Sequence, residues 1–238
     1  MSTNNSMDAM SNAVEMIKKA RAIVFDIDFT SLSYDGLDYL AEITKKTEEV
    51  RKCVKELYID KHILRECLDE IMKIMSPNLN TIEQFKNEIP VDMPPHYEEL
   101  VDLLRSMNKD IYLVSAGIKQ LQEPLCKKLH ITDEYLFDNV AVFDSNGNFT
   151  HLIAEQLTME NDGKAKVIEV IKKRYPDNDN IVVNFGDGYI DSEACPPSDC
   201  FIRYTKYNNT FFENDHSTIS IDDYSIIIDL LKNNNTNN

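Results

Sequence analysis

Hydrophobic and polar positions along the chain switch between two periods, and the switches lay out its elements. Residues 12–20 repeat at helical spacing and predict a short amphipathic helix. Four apolar residues, Ala22 to Phe25, then read as a buried strand that Asp26 ends. From Asp38 to about Asn87 the period is helical, with Leu40, Ile43, Val50, Val54 and Leu57 on one face. Ile63, Leu64, Leu68, Ile71 and Ile74 form another, and nothing in this stretch reads as a strand. Pro90, Pro94 and Pro95 end it. A helix over 97–107, a strand over 111–114 and a helix over 118–129 follow. Next comes a hairpin over 140–153, turned at Asn146-Gly147, whose left-handed preferences suit a tight turn. A helix over 164–174, a strand over 181–185, short strands over 201–204 and 218–221 and a helix over 224–231 complete the pattern. The polar segment 233–238 is expected to be a disordered tail.

Strands alternating with helices predict an α/β fold: a doubly wound, mostly parallel sheet, Rossmann-like, with helices on both faces. Residues 1–35 and 93–238 are expected to build this core, and 36–92 an α-helical cap inserted after its first strand. Ligands of such sheets bind beyond the carboxyl ends of the strands.

Composition narrows the function. With 25 basic and 41 acidic residues the formal charge is -16, which repels a phosphate backbone, so nucleic acid is not an expected partner. No apolar stretch nears the roughly 20 residues a membrane span needs. The first residues carry neither a basic n-region nor an apolar h-region, so a cytoplasmic location is expected. Five cysteines, Cys53, Cys67, Cys126, Cys195 and Cys200, include no CxxC pair and read as reduced thiols filling core.

Four polar clusters fall just after predicted strands or at a helix start: Asp26 with Asp28, Ser115-Ala116-Gly117, Gly163-Lys164, and Gly186-Asp187-Gly188 with Asp191. Singly, each has an ordinary reading as a turn, a helix cap or a solvated lysine. The predicted fold gathers all four on one rim, where the carboxylates would raise one another's pKa unless a divalent cation balanced them. Magnesium, which accepts few carboxylates and keeps places for water or phosphate oxygens, suits Asp26 and Asp187. Lys164 supplies a point charge for a phosphoryl group, and Ser115 with the N–H groups around Ala116 and Gly117 an anion nest. A carboxylate can then attack phosphorus, with the one two residues away carrying the proton.

In their order and spacing, "DIDFT", "SAG", "GKAK" and "GDGYIDSEACPPSD" resemble the haloacid dehalogenase superfamily of phosphatases. "DGLDYLAEI" and "DSEACPPSDCFI" resemble its phosphoserine phosphatase family in particular. The resemblance implies a Mg²⁺-dependent phosphomonoesterase working through an aspartyl phosphate, releasing phosphate from O-phospho-L-serine. It implies Asp26 as nucleophile and Asp28 as acid and base, with its main-chain carbonyl on the metal. Asp187 would ligate the metal, Asp191 would support it and Lys164, and Ser115, Gly117 and Lys164 would hold the phosphoryl group. The partner expected is a small phosphorylated metabolite, and the chain is expected to be a monomer or homodimer.

Four positions depart from the family pattern. Asp35 stands where a glutamate meets the substrate's amino group, and Ile71 where an arginine pairs with its carboxylate. Phe29 and Ile190 replace polar residues. Arg65 lies about two helical turns before Ile71 and would take the arginine's place only in a different register. Two alternatives stay open: the same chemistry on another small phosphomonoester, or a catalytically silent protein that binds a phosphometabolite.

Overall fold

A computed structural model describes residues 2–59, 64–212 and 215–233. Its elements are, in order, α1 (Ser2–Lys19), β1 (Ala22–Phe25), α2 (Gly36–Ile43), α3 (Thr47–Ile59), α4 (Leu64–Met75), α5 (Leu79–Glu88), α6 (Tyr97–Ser106) and β2 (Asp110–Ile118). There follow α7 (Lys119–Lys128), β3 (Leu136–Asn139), β4 (Ala141–Phe143), β5 (Phe149–Leu152), α8 (Gly163–Lys172), β6 (Val182–Gly186), α9 (Tyr189–Ser192), β7 (Cys200–Tyr204), β8 (Ile219–Ile221) and α10 (Ser225–Asn233). The expected tail falls outside the described residues from position 234 onward.

Six strands form one parallel sheet in the order β3-β2-β1-β6-β7-β8. Alternation along β1 explains why all four of its residues are buried. Ile23 and Phe25 face a core built with α1, α6 and α10, whereas Ala22 and Val24 face Val167, Ile168 and Ile171 of α8. A strand covered on both sides reads as a continuous apolar run, which is the signal the sequence carries. Phe25 stacks on Phe185 at 4.7 Å and meets Tyr97 edge-on at 5.1 Å, fixing the ends of β1 and β6 side by side.

Residues from α2 to α5 build a second hydrophobic cluster around Leu40, Val50, Leu68, Ile71, Met72, Ile82 and Phe85. The β4–β5 hairpin, a separate antiparallel pair turned at Gly147 with φ +79°, adds Ala141 and Leu152 to that cluster. Its turn is tied to α5, Leu79 N–H donating to the Gly147 carbonyl at 2.8 Å.

Besides the short helix α9, three elements differ from the sequence expectation. The first helix begins at Ser2 rather than residue 12. The strand expected to stop at Val114 runs on to Ile118, with a shift of register against β3 between Val114 and Ile118. The third is β3 itself, a four-residue edge strand whose "LFDN" lacks a strong apolar signal.

Within β3, Asp138 is buried, its Oδ2 has no hydrogen-bond partner among the described residues, and burial lifts its pKa from 3.8 to about 7 although Lys119 pulls the other way. The folded chain thus holds this proton more tightly than the unfolded one, so stability falls as pH rises from about 4 to about 7. Asp138→Asn is expected to melt higher than the parent at pH 8, with the advantage vanishing near pH 4.5. Thermal melts at the two pH values check this, each tenfold of proton affinity being worth about 1.4 kcal/mol.

Candidate active site

The central register builds the site. Phe25 of β1 lies opposite Phe185 of β6 and Leu113 of β2, so the residues that follow each strand emerge on one edge. Asp26, 6% exposed, is anchored through its backbone: its N–H donates to the Phe185 carbonyl at 2.9 Å. Ser31 Oγ donates to the Asp26 carbonyl at 2.6 Å and lies 2.7 Å from Tyr97 Oη. The turn continues through Phe29 at φ +56°, a left-handed backbone that few bulky residues adopt and that here bends the chain back toward α2.

Lys164 enters from the first turn of α8, buried to 8% exposure, and its ammonium donates both to Asp26 Oδ1 and to Asp191 Oδ1, the latter at 2.6 Å. Asp191 is held by more than Lys164. Its Oδ2 accepts the Gly188 N–H at 3.1 Å, and its main-chain carbonyl accepts Asn184 Nδ2 at 3.1 Å. Ser198 Oγ in turn donates to Asn184 Oδ1 at 2.6 Å. Gly186 is where the carboxylate passes over the backbone: a Cβ there would stand 2.1 Å from Asp191 Cγ, so no side chain fits.

Asp187 completes the cluster. Its Oδ2 accepts Asn208 Nδ2 at 2.6 Å, and its carbonyl accepts Nε of the buried Arg203 at 3.1 Å. Arg203 also pairs with Asp215 at 3.0 Å and donates to the Thr210 carbonyl at 2.6 Å. One carboxylate oxygen from each of Asp26, Asp187 and Asp191 falls within 4.8 Å of the others, all three residues being buried. Hard oxygen donors this close fit a small divalent cation.

Asp28 lies beside this cluster, half-buried, with Oδ1 accepting the Gly36 N–H at 2.9 Å and Oδ2 facing Ser115 Oγ at 3.4 Å. Ser115 Oγ also accepts the Gly117 N–H at 2.9 Å, drawing the end of β2 into a tight loop. The Ala116 carbonyl accepts Asn139 Nδ2 at 2.7 Å, and Thr158 Oγ1 donates to Asn139 Oδ1 at 2.7 Å. Asp35 sits at the N-cap of α2, its Oδ1 accepting the N–H groups of Leu37 at 2.8 Å and Asp38 at 3.3 Å. Ile71 lies in the core of the helical cluster at 4% exposure, and Arg65 donates to the Ala154 carbonyl at 2.9 Å.

Crowded carboxylates out of water hold their protons. Burial raises the pKa of Asp26 well above 3.8 even though Lys164 opposes the shift, and Asp191, Asp187 and Asp28 add to it. Burial and Asp191 push Asp187 up to about 7, while burial also raises Asp28 against the Gly36 hydrogen bond. Asp35 is raised by burial and by Asp28. Lys164 goes up rather than down: burial works against its charge, but Asp191 and Asp26 outweigh that.

The nine residues singled out in the sequence thus occupy one rim of the sheet, Asp35 at its margin. Sequence reasoning missed Asn184, Asn139, Arg203 and Asn208. Only Arg203 left a signal, a charged residue within the apolar strand "CFIRY".

A parallel sheet with Asp26 and Asp187 just beyond two adjacent central strands, and a buried lysine joining Asp26 to Asp191 of α9, defines an α/β protein with a charged site at the carboxyl edge of its sheet. No family model matches the chain. It is 30% identical to phosphoserine phosphatase of Homo sapiens over 190 residues, which cover 80% of this chain and 84% of that protein. It is also 30% identical to the Drosophila melanogaster phosphoserine phosphatase over 192 residues, covering 81% and 71%. Among solved structures, a phospho-aspartyl intermediate analogue of phosphoserine phosphatase superposes with a TM-score of 0.74 at 21% identity, covering 89% of this chain and 99% of that one. A substrate-bound phosphoserine phosphatase complex gives 0.73 at 20% identity, covering 89% and 98%. The chain belongs to the phosphoserine phosphatase family of the haloacid dehalogenase superfamily.

Proposed function

We propose that this chain is a phosphomonoesterase that hydrolyses O-phospho-L-serine to serine and phosphate through an aspartyl phosphate on Asp26. The observation that carries this reading is Lys164 bridging Asp26 and Asp191 beside Asp187, with Asp28 two residues from Asp26 and facing Ser115. Asp26 attacks phosphorus and the ester oxygen leaves. Asp28, whose raised pKa keeps a proton available, protonates the departing alcohol and later takes a proton from the water that cleaves the acyl phosphate. Lys164, Ser115 Oγ and the N–H groups of Ala116 and Gly117 hold the phosphoryl oxygens. Asp26, Asp187, Asp191 and the Asp28 main-chain carbonyl would hold Mg²⁺, which supplies positive charge to the phosphoryl oxygens and lowers the proton affinity of the carboxylates. The cluster around Ile71 serves as a cap that shields the reaction from bulk water. Among the described residues no helix is long and apolar enough to cross a membrane.

A second reading keeps the chemistry and changes the substrate. It is favoured by the apolar burial of Ile71 and by Arg65 donating to the Ala154 carbonyl, which leave a substrate carboxylate no cation at either position. Phosphate release from O-phospho-L-serine and a panel of small phosphomonoesters, with and without Mg²⁺, tests both. Phosphoserine is expected to be the preferred substrate, with turnover lost on chelation. Preference for another ester would select the second reading, and no Mg²⁺-dependent turnover of any ester would overturn both.

A further inference from the structure

Asn208, half-buried in the loop after β7, is engaged at both ends of its amide. Its Oδ1 accepts the Thr210 N–H at 3.1 Å, and its Nδ2 donates to Asp187 Oδ2 at 2.6 Å. The Thr210 bond fixes which end of the amide faces the carboxylate, since only the carbonyl oxygen can accept an N–H. In α9, close to Asp187 along the chain, Ile190 offers only alkyl surface and Tyr189 Oη donates to Glu193. The donor comes instead from the loop that follows the neighbouring strand of the sheet.

Arg203 holds that loop in place. At 7% exposure, its Nε donates to the Asp187 carbonyl at 3.1 Å, its Nη2 to the Thr210 carbonyl at 2.6 Å and its Nη1 to Asp215 at 3.0 Å. The Phe212 ring lies 4.4 Å from the guanidinium carbon. One rigid guanidinium thus ties the backbone of Asp187 to the residue whose N–H orients Asn208. Asp187 is gripped by a single unit at its carbonyl and at one carboxylate oxygen. A carboxylate with one oxygen committed in this way meets a cation through the other. Mg²⁺ takes its ligands in near-ideal octahedral geometry, whereas Ca²⁺ accepts more oxygens and readily binds both of one carboxylate.

Resting on the reading above in which Asp187 ligates the metal, we propose that Asn208 is a positioning residue that keeps Asp187 a one-oxygen ligand and sets the preference of the site for Mg²⁺ over Ca²⁺. Without the amide, Asp187 Oδ2 is released and the carboxylate can turn to offer both oxygens, a bite that suits the larger ion. Hydrogen-bond partners of metal-ligating groups are typically worth about 10- to 100-fold in metal affinity.

The test titrates Mg²⁺ and Ca²⁺ separately into the metal-free full chain by calorimetry, with Asn208→Leu and Asn208→Ser beside the parent. Serine keeps a hydroxyl that can accept the Thr210 N–H but is too short to reach Asp187, so it preserves the turn if leucine disturbs the fold. In both variants Kd for Mg²⁺ is expected to rise about tenfold or more while Kd for Ca²⁺ stays within about twofold or falls, moving the ratio of the two about tenfold toward Ca²⁺. Equal weakening of both ions would make Asn208 a support for its loop and overturn the proposal, as would unchanged affinities or a parent that binds neither ion. Phosphate release from O-phospho-L-serine by the parent, read in parallel, separates this proposal from the activity. A shifted ratio in variants of a parent that hydrolyses no ester keeps the proposal and removes the phosphatase reading, whereas an active parent with an unshifted ratio removes the proposal alone.

Discussion

Asp26→Asn is expected to lower kcat for phosphate release at least about 10⁴-fold, the scale on which removal of an enzyme's nucleophile acts. Asparagine matches the shape of aspartate but its amide does not attack phosphorus. The local fold does not depend on the charge, since the residue is held by its backbone: the N–H on Phe185 and the carbonyl under Ser31 are unchanged by the substitution. Asparagine also leaves Lys164 its bond to Asp191. The melting temperature should therefore move by only a few degrees while turnover collapses. Incubation with labelled substrate followed by acid quench provides the second measurement, with label retained on the parent and absent from the variant. Residual kcat above about a thousandth of the parent's would place the nucleophile elsewhere, and Asp28 would be the first residue to reconsider.

Lys164→Met should cost both activity and stability, and the stability loss should depend on pH with a predictable sign. The ammonium compensates two buried carboxylates, and removing one member of such a group leaves an uncompensated buried charge, worth about 3–5 kcal/mol when the charge cannot be discharged. Here it can be discharged by protonation. Asp26 already holds its proton well above the ordinary range with Lys164 present, and without it the affinity rises further. The folded variant then binds more protons than its unfolded chain at every pH between about 4 and the raised value, so its stability falls as pH increases across that interval. At pH 5 the variant is expected to melt near the parent, and at pH 8 far below it. In the parent, Lys164 stays charged throughout this range, so its contribution does not fade. Added Mg²⁺ should restore part of the loss at pH 8, because a dication bound by the same carboxylates stabilises the folded state by mass action. Equal melting at both pH values would mean that the lysine does not compensate the carboxylates, and turnover above about a hundredth of the parent's would remove Lys164 from the phosphoryl cradle.

What the sequence determined by itself is what short-range physics writes into consecutive residues. Ala22 to Phe25 is apolar at every position because both faces of β1 are covered, and the run stops at Asp26 because the strand ends where a carboxylate meets the buried Lys164. The helix from Gly163 and the strand ending at Gly186 were legible for the same reason, and with them the order in which Asp26, Ser115, Lys164 and Asp187 reach the rim. Tertiary structure decided what those residues meet. The sequence placed the end of β2 at Val114, but pairing with β3, four residues with little pattern of their own, carries the strand to Ile118 and curls Ser115 to Gly117 toward Asp28. It hung the hairpin at Asn146-Gly147 on the helical cluster, which no periodicity states. Asn208 on Asp187 had no signature, because a polar side chain in a loop reads alike whether it faces water or a carboxylate. A hydrogen bond between residues far apart in the chain depends on distance and direction in space, and the fold alone supplies both.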